Sequence, residues 1–285
     1  MADARAYCTH LTKTHYENFT LGSWLLPRDK RPHFFALYSF CRWTDDLGDE
    51  APGNRLKSLS LWEEELRNCY DGIPTHPVTV ALQSTIGEFD IPIDPFIKLI
   101  EANRMDQRNT RYITFQDLLY YCDYSANPVG HLVLYILGYK DDHRRSLSDY
   151  TCTALQLANF WQDVAGDMEK GRIYIPLEDI GNFGYSEMDL SRHVTNRSFI
   201  QLMEFEVQRT RELFKDGIAL LDTIDGIFKL DLALFTRGGR KVLDEIERNG
   251  YDVLSRRPVL SRPQKTWLMF STLIRMKLGM SLTPG

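Results

Sequence analysis

Apolar positions recur at helical spacing along most of the chain. Between Leu56 and Tyr70 they fall at Leu56, Leu59, Trp62, Leu66 and Tyr70, one face of a 3.6-residue period, and Gly72 stands just beyond as a stop. Pro32 suits the first turn of a helix over Phe34 to Asp46. Similar stripes predict helices over Phe96 to Met105 and over Phe115 to Tyr124, the latter with Thr114 as N-cap and Asp117 in its first turn. Pro128 interrupts that segment, and Gly130 to Leu137 resumes it. A long helix carrying Gln156 to Asp167, capped by Ser146 or Ser148, should end at Gly171. After Arg172-Ile173-Tyr174-Ile175-Pro176 and a loop containing Gly181 and Gly184, further helices are expected from about Ser198 to Leu221, Leu230 to Arg248 and Arg262 to Met280. Alternating strand patterns are scarce, and no Pro- or Gly-rich linker marks a boundary. The expectation is therefore one all-α domain over residues 1–285, a helical bundle with its site in a central cavity.

Against this apolar background two acidic clusters stand out, Asp45-Asp46-Leu47-Gly48-Asp49 and Asp163-Val164-Ala165-Gly166-Asp167. Each places two carboxylates four residues apart, which a helix stacks on one face. Paired hard oxygens suit Mg²⁺, whose shell is usually completed by water and substrate phosphate, so the chemistry indicated is diphosphate binding and ionisation. Spacing alone is weak, because Asp90 and Asp94 share it around Pro92, where a regular helix is not expected. The surroundings add weight. Arg42 sits one turn before Asp45, and Gln156, Asn159, Asp163 and Asp167 form a polar stripe on the otherwise apolar segment from Tyr150 to Val164. An ordinary wet helix face, the competing reading, would more often mix Lys and Glu.

Charge and cysteine content narrow the class. A net charge of −5 argues against nucleic acid as a partner and fits an enzyme that brings metal cations to an anionic substrate. Five scattered cysteines with no C-x-x-C argue against a disulfide framework or a zinc site and for a reducing, cytoplasmic compartment. The first residues include Asp3 and Arg5 with no apolar run, so no secretory signal is expected, and no apolar stretch is long enough to span a bilayer. The segment from Trp267 to Leu278 is apolar with Arg275 and Lys277 interleaved. Such a stripe either packs on the core, its commoner fate, or lies on the inner face of a membrane as a peripheral contact.

Taken together, Tyr38-Ser39-Phe40-Cys41-Arg42 followed by Asp45, Asp46 and Asp49, the stretch from Tyr121 to Gly130, the series Gln156, Asn159, Asp163 and Asp167, and Arg172 to Pro176 resemble the squalene and phytoene synthase family of trans-isoprenoid synthases. The matching stretches lie between residues 15 and 176, and the helical order agrees to the C-terminus. The resemblance implies a Mg²⁺-dependent synthase acting on an isoprenoid diphosphate. It implies metal ligation by Asp45, Asp49, Asn159, Asp163 and Asp167, with Asp46 supporting them. Arg42, Arg172 and Tyr174 would bind diphosphate, although for both arginines a structural ion pair is the alternative. Gln156 and Asn127 would contact substrate, and Tyr121, Ala126, Phe19, Phe40 and Leu157 would line an apolar channel where aromatic faces favour a carbocation.

Some segments look less like the condensing enzymes and more like the bacterial hopanoid-pathway branch that makes hydroxysqualene from presqualene diphosphate. They are His15-Tyr16-Glu17-Asn18-Phe19 before Leu25-Leu26-Pro27, Ser125 to Gly130, and Gly238-Gly239-Arg240 through Tyr251 to Leu254. Condensing relatives tend to carry small hydroxyl residues near Tyr16 and Asn18, and Val-Ala-Gly near Ser125. His15, Tyr16, Glu17 and Asn18 are then candidates to position a water. No G-x-G-x-x-G follows a strand pattern, so a reductive finish within the chain is not expected. The rival readings are head-to-head condensation of two prenyl diphosphates and a silent assembly or lipid-carrying protein. Intact acidic faces speak against the latter.

Overall fold

The computed structural model describes residues 1–14 and 27–282, and within them regular structure is helical, with a single isolated bridge between Arg111 and Ile173. The chain divides into two compact units: Met1–Arg108 with Asp123–Ser146, and Asn109–Cys122 with Leu147–Gly285.

In the first unit, α1 (Ala2–Thr14) packs on α2 (Arg31–Asp49) and α4 (Pro77–Phe89), and α2 is central, touching α3 (Arg55–Asp71), α5 (Asp94–Asp106) and α7 (Asn127–Leu137) as well. Local chemistry explains the starts. Asn54 accepts from the Lys57 amide ahead of α3, the His76 side chain accepts from Val78 ahead of α4, and prolines occupy the first turns of α2, α4, α5 and α7. Pro128 thus opens α7, where its missing N–H costs nothing, and the interruption falls at Ala126, nearer than the expected restart at Gly130. Asp90, at φ 54°, ends α4 in the left-handed region, so Asp90 and Asp94 lie on different elements. Phe40 is fully enclosed, stacked on Trp62 with centroids 5.5 Å apart and edge-on to Phe96 at 5.1 Å. It packs in the core of this unit.

The second unit takes in the first turns of α6 (Phe115–Ser125), most of α8 (Asp142–Gln162), the short α9 (Val164–Glu169), α10 (Leu177–Asn182) and α11 (Glu187–Ser191), then α12 (Arg197–Gly217), α13 (Leu220–Thr223), α14 (Ile227–Arg248) and α15 (Arg262–Lys277). Trp161 is wholly buried and donates from Nε1 to Thr210 Oγ1 at 2.7 Å, joining α8 to α12. Gly239 permits the close approach of α14, since a Cβ there would stand 2.5 Å from Phe214 Cζ and 2.8 Å from Leu155 Cδ2. One expectation fails in this unit. The helix carrying Gln156 and Asn159 starts earlier, at Asp142, leaving Ser148 buried inside it, and it ends at Gln162, before the second acidic pair.

Arg209 Nη2 donates to Glu206 Oε2 at 2.5 Å and to Asp179 Oδ2 at 2.8 Å, and its guanidinium lies 3.4 Å from the Phe115 ring centroid. One cation between two buried carboxylates leaves a net negative charge. Burial pushes the Glu206 carboxyl up to about 8, with Arg209 opposing and Asp179 adding to the rise. A folded-state value above the unfolded one means stability is lost as pH climbs from the ordinary glutamate range, 4.5, through about 8. Thermal denaturation should therefore show Glu206→Gln gaining up to about 4 kcal/mol on the wild type between pH 5 and pH 9. Parallel pH profiles for the two proteins would contradict this.

Candidate active site

The first acidic cluster lies on α2 in the first unit. Asp45 and Asp49 share one helix face, as the spacing requires, and α2 continues without a break to Asp49. Asn103 on α5 donates Nδ2 to Asp45 Oδ1 at 3.2 Å and also to the Leu99 carbonyl, while Gln107 Nε2 donates to the Gly48 carbonyl at 2.9 Å. Gly48 is what lets α5 approach: a Cβ there would sit 2.1 Å from Asn103 Oδ1. Arg42 lies 2.5 Å from Asp46 Oδ1, an ion pair without well-directed hydrogen-bond geometry, and 3.5 Å from Glu50. The structural pairing weighed for Arg42 is thus present, with Asp46 as its partner.

Asp45 is exposed, and the protein packed around its carboxyl still desolvates it. That desolvation pushes its carboxyl up to about 6; Asn103 and Arg42 oppose the rise, and Asp49 and Asp46 add to it. Three carboxylates against one guanidinium, with a carboxyl resisting ionisation, make a site short of positive charge. A hard divalent cation fits that deficit. Among the described residues no three His, Cys, Asp or Glu side chains enclose an ion position unaided. Mg²⁺ ordinarily takes one or two carboxylates and completes its shell with water and phosphate. In the same unit Ala126 is buried at the start of α7, and Asn127, also buried, donates to Asp123 Oδ1 at 2.7 Å.

The second cluster, in the second unit, is built on a break. Asn159 is exposed on α8 and Gln156 half-buried. Asp163 sits between α8 and α9 at φ −116°, ψ 21°, its amide donating to the Asn159 carbonyl at 3.0 Å, and the Asp167 amide donates back to the Asp163 carbonyl at 2.9 Å. The i, i+4 relation therefore survives across α9 although the helix does not run through it. The Asp163 carboxylate folds over Gly166, where a Cβ would stand 2.7 Å from its Oδ1. Both acidic clusters thus use their glycine to make room for a carboxylate or its partner. Arg257 donates to Asp163 Oδ1 at 2.9 Å and approaches Oδ2 at 3.4 Å.

Asp167, Arg172, Tyr174 and Phe160 line one small cavity, which brings three of the expected residues together. The Arg172 amide donates to the Asp167 carbonyl at 2.9 Å, and the Ile173 and Leu177 amides pair with the carbonyls of Thr110 and Tyr112, so the Arg172 to Pro176 stretch is fixed against residues 110–113. An aromatic wall results. Tyr174 stacks on Phe160 with centroids 3.8 Å apart, and Tyr121 lies 5.8 Å from Tyr174 and 5.4 Å from Tyr112. Leu157 is buried on α8 nearby in sequence. Asn103, Tyr112, Phe160 and Arg257 are missing from the sequence reading; only Arg257 had a local signal, the basic pair Arg256-Arg257 beside a proline. His15, Tyr16, Glu17, Asn18 and Phe19 lie outside the described residues.

The squalene/phytoene synthase family pattern matches residues 12–264. The chain belongs to the squalene/phytoene synthase family. The phytoene synthase of Arthrospira platensis is 37% identical over 274 residues, covering 90% of this chain and 88% of that one. The 15-cis-phytoene synthase of Synechocystis sp. is 35% identical, covering 92% and 82%. Among solved structures, squalene synthase HpnC from Alicyclobacillus acidocaldarius superposes with TM-score 0.85 at 45% identity, over 87% of this chain and 95% of that one. A dehydrosqualene synthase in complex with ligand superposes with TM-score 0.89 at 26% identity, over 97% and 98%. The resemblance drawn from the motifs thus holds, and the protein has the all-α isoprenoid synthase fold. Squalene/phytoene synthases are isoprenoid synthases that act on prenyl diphosphates and generally depend on a divalent metal. No helix among the described residues is long and apolar enough to cross a membrane.

Proposed function

We propose that this family member ionises presqualene diphosphate and captures the rearranged cation with water, giving hydroxysqualene and diphosphate. The observation that carries the reading is the 45% identity to a protein described as a squalene synthase, higher than the 37% to the Arthrospira phytoene synthase. The polar residues Tyr16, Glu17 and Asn18, where condensing relatives tend to keep smaller groups, point the same way.

Asp45 and Asp49 in one unit, and Asn159, Asp163 and Asp167 in the other, are the residues that would hold divalent cations, Mg²⁺ in our reading. Bound there, the metal would supply charge stabilisation for departing diphosphate. Asn103 fixes the Asp45 carboxylate, and Arg257 does the same for Asp163. Arg172 and Tyr174 would donate to diphosphate oxygens, Arg172 as a fork of fixed donors. Tyr112, Tyr121, Phe160 and Tyr174 present π faces, which attract a carbocation and offer it no base. His15 and Asn18 would orient the capturing water, with Phe19 and Ala126 against the isoprenoid chain. The family match crosses both units, and we take the chain as one functional domain working in the cytoplasm without nucleic acid.

Condensation of two prenyl diphosphates is the second reading, favoured by the two cyanobacterial phytoene synthases that align with at least 90% of the chain. The test is to offer purified protein with Mg²⁺ either farnesyl diphosphate or presqualene diphosphate. Consumption of presqualene diphosphate with slow or no use of farnesyl diphosphate is the expected result. Efficient conversion of farnesyl diphosphate while added presqualene diphosphate persists would establish the second reading.

A further inference from the structure

Helix α15 is anchored on one side only. Its buried face consists of Leu268 and Thr272, and Arg237 of α14 donates to the hydroxyls of Ser271 and Thr272. A capping box between Ser261 and Gln264 starts the helix, so it is formed without help from any partner. The opposite face carries Trp267 (71% exposed), Phe270 (52%), Ile274 (51%) and Leu278 (67%). At 100° per residue these four fall within about 80° of arc, a continuous apolar stripe pointing to solvent. Single exposed apolar residues need no explanation, but a row of four including Trp and Phe does.

Charge says what covers it. Six basic residues and no acidic one follow Asp252, in a chain whose net charge is −5; the preceding residues therefore carry −11. Of the six, Arg262, Lys265 and Lys277 are exposed on or just beside α15, and no ion pair holds them among the described residues. A second copy of this chain would offer mostly negative surface to the basic residues, but among the described residues the exposed apolar side chains outside α15, such as Leu61, Ile73 and Ile113, are scattered, and two copies of this cationic stripe repel. An anionic bilayer offers both an acyl boundary for the stripe and headgroups for the cations.

We propose that α15 is a lipid-docking helix that lays Trp267, Phe270, Ile274 and Leu278 into the interface of a bilayer carrying anionic headgroups, with Lys277 and Arg262, on the flank of the stripe, reaching the phosphates. The inference stands on exposure and charge and does not depend on the reaction catalysed. Unlike a spanning segment, a helix of this kind binds reversibly and in a salt-dependent way.

Flotation of the full chain tests it, using vesicles of phosphatidylcholine alone or with about 30% phosphatidylglycerol, at low and high salt. The wild type should partition into the anionic vesicles at least about tenfold better than into the neutral ones, and less at high salt. The double variant W267E/I274E should lose at least about tenfold of that partitioning, and R262E/K277E should lose the preference for anionic lipid, with unchanged circular dichroism. Three results would overturn the proposal: no binding of the wild type to either vesicle, unchanged binding of W267E/I274E, or light scattering that finds a dimer dissociated by W267E/I274E in the absence of lipid binding.

Discussion

Asp163→Asn lowers turnover by at least about a hundredfold at saturating Mg²⁺ while leaving the helical content unchanged. The activity loss follows from removing one formal negative charge where a cation must be held against a departing diphosphate. The fold should survive because Asp163 makes no side-chain cap bond to α9, and Asn keeps an oxygen in the place that accepts from Arg257. Steady-state kinetics and circular dichroism on the purified variant are the check. Near-normal turnover would remove Asp163 from the metal assignment.

Gly48→Ala destabilises the protein by about 1–3 kcal/mol, although Ala is intrinsically favoured over Gly in a helix by about 1 kcal/mol. The reason is the 2.1 Å separation between a Cβ at this position, in the last turn of α2, and Asn103 Oδ1, with Asn103 Cγ and Cβ only 2.9 and 3.2 Å away, so rotating the amide alone does not clear the overlap. Asn103 must move, and its hydrogen bond to Asp45 goes with it. Turnover should fall roughly tenfold or more through the lost orientation of Asp45. The double variant G48A/N103A separates the two effects, because it relieves the overlap without restoring the bond. Chemical denaturation should find stability largely regained, and kinetics should find activity still depressed. A stability gain in Gly48→Ala alone would show that α5 retreats at no cost.

The long helices and the two acidic clusters were legible in the sequence because both depend on local periodicity: α2, α3, α5, α12 and α14 each carry a buried stripe at helical spacing. The break at Asp163 was not legible. No Pro or Gly stands at Gln162 or Asp163; instead Gln162 Nε2 donates to the Pro258 carbonyl and Asp163 accepts from Arg257, so a segment nearly a hundred residues away ends the helix. Asn103 was hidden for the same reason, 58 positions from Asp45. The short α9, α10, α11 and α13 hold too few turns for a period to register. For Arg42 the sequence allowed either a diphosphate contact or an ion pair, and the pair with Asp46 reflects the i, i+4 reach that both readings shared.

The central claim, ionisation followed by capture with water, meets its most direct measurement in the origin of one oxygen atom. A condensing site has to keep water from its cation, whereas a hydroxylating site has to admit one ordered molecule. Incubating the protein with presqualene diphosphate and Mg²⁺ in ¹⁸O-labelled water, without a nicotinamide cofactor, should give hydroxysqualene whose hydroxyl carries the label. Persistence of presqualene diphosphate under these conditions, or formation of an unlabelled product, would contradict the account.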